Sequence, residues 1–105
     1  MPKYLVQGSY TDQGLKGLLK EGGSKRRAMV ERLAKEMGGK LEAFYFAFGG
    51  DDFVIILDLP SNMEMAATAI VAQASGTLKS RVTVLMTPED VDQAVKRKVE
   101  FHPPE

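Results

Sequence analysis

The chain has 105 residues, 14 basic and 14 acidic, with zero formal net charge and no cysteine. That length holds one domain with one core. The charge balance argues against a nucleic-acid binder, which carries a basic excess on one face, and the lack of cysteine removes disulfides and thiolate metal sites. Met1-Pro2-Lys3-Tyr4 leads straight into a strand-like run rather than a signal peptide's apolar stretch. No stretch approaches the roughly 20 apolar residues that span a bilayer. A cytoplasmic protein with neither membrane nor nucleic-acid partner is the expectation.

Lys3 to Tyr10 reads as the first strand, and Thr11-Asp12-Gln13-Gly14 is turn chemistry. Leu15, Leu18 and Leu19 show helical spacing until Gly22-Gly23 breaks the run. Ser24 is the expected N-cap of a helix from Lys25 to Met37. Its apolar stripe is Met29, Val30, Leu33, Ala34 and Met37, and Gly38-Gly39 ends it. Lys40 to Phe48 reads as a second strand. Gly49-Gly50-Asp51 reads as a hairpin turn and Asp52 to Leu59 as the partner strand, stopped by Pro60. Ser61 and Glu64 have capping-box spacing for a helix to about Ala74, closed by Gly76. Leu78 to Met86 is the fourth strand. Thr87 caps a last helix over 88–98, with Pro88 at its first position, followed by the tail 99–105.

The order β-α-β-β-α-β with a C-terminal helix is the plan of a ferredoxin-like α+β domain, an antiparallel sheet with helices on one face, over 1–105. A strand with one wet face alternates apolar and polar residues. Here the second strand sends Leu41, Ala43, Tyr45 and Ala47 one way and Phe44, Phe46 and Phe48 the other, and Phe53, Ile55 and Leu57 oppose Val54 and Ile56. Helices cover one face only, so a second copy packed sheet to sheet is expected on the other, through Phe44, Phe46, Phe48, Val54 and Ile56. The alternative cover is the C-terminal helix folded back over that face. The helix after Pro60 carries Glu64 as its one charge before Leu78 and is apolar nearly all round. Such a helix is usually buried, which a larger oligomer or the C-terminal helix would achieve.

Several short runs resemble the GYD-domain proteins, small bacterial proteins similar to the dimeric α/β-barrel group. They are Tyr10-Thr11-Asp12-Gln13-Gly14, Arg27, Gly38-Gly39, Gly49-Gly50-Asp51-Asp52, Leu59-Pro60, Gly76 and Thr87-Pro88-Glu89-Asp90. Gly49 and Asp52 match the name-giving turn, while Asp51 stands where its tyrosine would be. The resemblance implies a ferredoxin-like fold and dimerisation through packed sheets, and no established activity.

Gly49-Gly50-Asp51-Asp52-Phe53 also looks like the signature turn of diguanylate cyclases, where acids hold magnesium. Such a site needs a second carboxylate from the first strand, which offers Gln7, Gly8, Ser9 and Tyr10. A tight turn with solvated acids is the better reading, and no metal site is expected. Gly22-Gly23-Ser24-Lys25-Arg26-Arg27 puts three positive charges in a helix's first turn, against its dipole. Ser24, Arg26 and Arg27 form an anion-site candidate there, beside the plainer reading of a solvated charge run. Tyr10, Thr11, Gln13, Arg27 and Asp52 are ligand-binding candidates at a helix–sheet cleft, beside their reading as turn formers. His102 lies in the tail, remote from any acid–base or axial-ligand role. Ser24, Ser61 and Ser75 read as helix-end residues.

The functional expectation is a self-associating module, a homodimer or larger homo-oligomer without a cofactor, with room for a small ligand between helices and sheet. The alternative is a cofactor-free enzyme of the small monooxygenase or isomerase kind, by analogy of fold.

Overall fold

The computed structural model describes residues 1–104. Strand β1 (Lys3–Tyr10) buries every second residue, Tyr4, Val6, Gly8 and Tyr10, as a strand with one covered face should. It pairs antiparallel with β3 (Phe53–Asp58) on one side and β4 (Leu78–Leu85) on the other, and β2 (Lys40–Phe46) flanks β3. The resulting order β2-β3-β1-β4 places β1 and β3 at the centre. The helix-bearing crossovers join β1 to β2 and β3 to β4, which is the ferredoxin-like α+β arrangement. The core gathers Tyr4, Val6, Tyr10, Phe53, Ile55 and Leu57 under Ala34 and Met65 from the covering helices.

The first crossover contains two helices, α1 (Asp12–Glu21) and α2 (Gly23–Glu36). Gly22 adopts φ 83°, a region that only glycine enters without strain, and its N–H closes α1 on the Leu18 carbonyl. That sharp reversal lets α2 start at Gly23 with no side-chain cap. Ser24, expected as the N-cap, therefore stands one residue inside the helix and is exposed. Gly38, at φ 86°, ends α2 as anticipated.

The face assignment of β2 needs correction. Leu41 lies opposite Leu57, yet Ala43 lies opposite Ile56, so Glu42 is an extra residue that shifts the register. Beyond this bulge Phe44 faces Ile55 and Phe46 faces Phe53. Both phenylalanines thus lie on the helix side, against the core and edge-on to each other at 5.0 Å between ring centroids. Val54 and Ile56 share the opposite face with Ala43 and Tyr45, and Phe48 is exposed in the connecting loop. The five residues expected to form one surface are divided between two faces and a loop. That connection, residues 47–52, is also longer than the tight turn expected at Gly49-Gly50-Asp51.

Helix α3 (Asn62–Ala74) is capped by Ser61, which accepts the Met63 N–H and donates its hydroxyl to the Glu64 carboxylate. Met65 is its one buried residue, and Met63, Ile70 and Val71 are exposed. Helix α4 (Pro88–Ala94) opens with a full capping box between Thr87 and Asp90. It stops short of residue 98 because three-residue hydrogen bonds from Lys96 to Gln93 and from Arg97 to Ala94 tighten its end. Every residue of α4 is exposed, so it does not cover the open face of the sheet. The protein is accordingly elongated, with a radius of gyration of 16.7 Å against about 13 Å for a compact chain of this size. Among the described residues no helix is long and apolar enough to cross a membrane.

Candidate functional site

Helix α2 lays Val30, Leu33, Ala34 and Met37 toward the sheet, and α3 contributes Thr68, Val71 and Ala72 from the other side. Between them opens a cleft of about 630 Å³ whose floor includes Tyr10, Phe44, Phe53 and Ile55. A deeper void of about 90 Å³ shares Val30, Leu33, Phe53 and Ile55 with it and reaches Val6, Leu57 and Met65. The walls are largely apolar, as small-molecule sites usually are.

Most polar groups at this cleft are already engaged. Thr68 donates its hydroxyl to the Glu64 carbonyl at 2.8 Å, and the Ser75 and Thr77 hydroxyls bond each other at 2.7 Å. Arg26 differs. It sits four residues before Val30 on the inward stripe of α2, and only 9% of its surface is exposed. Its Cζ lies 5.6 Å from the centroid of the Tyr10 ring, within cation–π range. The nearest acid, Glu21 Oε1, is 3.8 Å from Nη2, too long for a hydrogen bond, and Nε has no partner among the described residues. Gly17 of α1 makes room for this side chain, since a Cβ there would stand 3.0 Å from Nη2.

Tyr10 separates this cleft from a shallower one lined by Leu18, Gly23, Phe46 and Asp52. Burial raises its phenol above the ordinary value, the Arg26 charge opposes this, and the Asp52 charge acts with burial. Tyr10 therefore keeps its phenol proton at neutral pH.

The other candidates have local duties. Asp52 accepts the Tyr10 N–H at 2.9 Å through its carboxylate and donates its own N–H to the Gly8 carbonyl at 2.8 Å, so it pins the 47–52 loop to β1. It is not a solvated acid. Asp51 is bound by Arg81 through two hydrogen bonds of 3.0 and 2.9 Å. Thr11 caps α1 and donates its hydroxyl to the Gly76 carbonyl at 2.7 Å. Gln13 and Ser24 are exposed, and Arg27 is exposed and 3.8 Å from Glu31. The fold thus brings Tyr10 and Arg26 together with Asp52 behind them, and leaves Gln13, Ser24 and Arg27 outside.

A family model, the GYD domain, matches residues 4–95. The chain belongs to the GYD-domain family. No curated protein and no solved structure shows a significant match. The GYD-domain match spans all four strands and the three helices between them, so the cleft and the bulged strand lie within the family unit. In this GYD domain the turn acid Asp51 is tied to β4 through Arg81, and its neighbour Asp52 to β1.

Proposed function

We propose that the protein is a non-catalytic, self-associating module that pairs through the open face of its sheet and holds a small ligand in the helix–sheet cleft. The observation that carries this reading is the uncovered apolar centre of the open face. Leu5, Ala43, Val54, Ile56 and Leu85 lie there half-buried, with Tyr45 exposed beside them. Most charges at its margin are paired, while Lys79, opposite Ser9, is exposed. Lys3 bonds Asp58 at 2.9 Å and Glu42 at 3.0 Å at one corner, and Arg81 holds Asp51 at the other. A second copy related by a two-fold axis would therefore meet an apolar patch with a largely paired rim.

A general acid–base reading calls for a group that exchanges protons near neutral pH. Tyr10, held in its neutral form by burial, is better suited to donating a hydrogen bond than to acting as a base.

The chain has no cysteine, so single cysteines report proximity cleanly. Val54→Cys should give a disulfide-linked or short-linker-linked dimer in dilute solution, while Lys16→Cys on α1 should not. Equal cross-linking at both positions would remove the proposed pairing face.

A further inference from the structure

We infer that the helix–sheet cleft takes an apolar monocarboxylate, an aromatic or aliphatic acid whose single negative charge is met by Arg26. This deepens the ligand-holding half of the proposed function and is independent of how the sheets pair. Three observations support it. A guanidinium that is nine-tenths buried normally has its donors satisfied by a close acid. That of Arg26 has its nearest carboxylate at 3.8 Å and an Nε without an acceptor. Its neighbours at the cleft have spent their hydrogen bonds on one another, as Ser75 and Thr77 do. Cleft and deeper void together present apolar walls from Val30, Leu33, Phe44, Ile55 and Met65, a place for a hydrocarbon body.

Charge count decides the class. Arg26 is the buried cation at the cleft, its one ion-pair partner, Glu21, stands 3.8 Å away and is exposed, and the two other charged residues lining the cleft, Arg32 and Glu36, are exposed and of opposite sign. One interior positive charge balances a monoanion. A phosphate dianion would keep an unmatched charge away from water, and a neutral ligand would leave Arg26 as it is. A small turn of the guanidinium toward the cleft gives its free donors the hydrogen-bonded carboxylate that Glu21, at 3.8 Å, does not supply, and the protonated Tyr10 lies next to it.

Calorimetric titration of the unaltered protein with phenylacetate, its neutral isostere phenylacetamide, and inorganic phosphate is the test. Phenylacetate should bind roughly tenfold or more tightly than the amide, the range of a charge-assisted hydrogen bond, and phosphate should not register. Arg26→Gln should bring acid and amide to equal affinity, with circular dichroism showing the fold intact. Should that variant fail to fold, the acid-to-amide ratio on the unaltered chain stands as the readout. Equal binding of acid and amide would overturn the carboxylate inference and leave the cleft as a ligand site. No binding of either would remove both. Phosphate binding as strong as phenylacetate would overturn the apolar class.

Discussion

Phe44 stands opposite Ile55, on the helix side of the sheet, because Glu42 adds one residue to β2. The side chains of Phe44 and Phe46 consequently pack against the core on the helix side, away from the open face. Phe46→Ala should lower stability in urea denaturation by about 2 kcal/mol, less than the ~3–5 kcal/mol of a fully buried phenylalanine, since Phe46 is partly exposed. The mass of the native assembly should not change.

Asp52 is expected to act through the backbone it holds. Asp52→Ala leaves the Tyr10 N–H without its acceptor and frees the 47–52 loop from β1. The expected loss is about 1–3 kcal/mol, with faster amide exchange at Tyr10. Asp52→Asn keeps an acceptor oxygen and should recover most of the loss.

Much of the architecture was legible in the residues. Gly22, Gly38 and Gly76 carry the positive φ angles that stop helices, and Pro60 and Thr87-Pro88 mark two further boundaries, so element order and topology followed. The bulge did not, because Leu41, Ala43, Phe44 and Phe46 are apolar in either register and a one-residue slip leaves no trace in the pattern. Arg26 was partly legible. It lies at i−4 from Val30 and i−8 from Ala34, on the apolar stripe of α2, but as a charge it reads as solvent-facing until the void beside Tyr10 and Gly17 is seen. The acids of the turn read as solvated because their partners, Arg81 and the Tyr10 amide, are distant in sequence.

Two glycines should respond differently to alanine. A Cβ at Gly39 would fall 1.9 Å from the Asp58 carbonyl oxygen, so β2 would have to shift away from β3. Gly39→Ala should cost about 1–3 kcal/mol, as overpacking does. Gly50 has nothing within 4 Å of the same atom, and Gly50→Ala should stay within about 0.5 kcal/mol. Paired thermal melts separate the two.

Alkaline pH should weaken the fold through two groups. Hydrogen bonds to Asp58 first, and to Glu42, raise the Lys3 pKa, and burial raises that of Tyr10. In both cases the folded protein holds its proton more tightly than the unfolded chain. The stability they supply is complete below the unfolded values, about pH 10, and is lost as pH climbs through the raised folded values. Melting temperature should therefore hold up to about pH 10 and fall as pH rises beyond it, and Tyr10→Phe should flatten part of that fall.

Solution mass tests the pairing of sheets most directly. Light scattering at micromolar concentration should give twice the 11.5 kDa of one chain. Ile56→Glu, which sets a charge in the centre of the open face, should return the mass to that of a single folded chain. A native protein that already scatters as a single chain, or an Ile56→Glu variant with undiminished mass, would contradict self-association through this face.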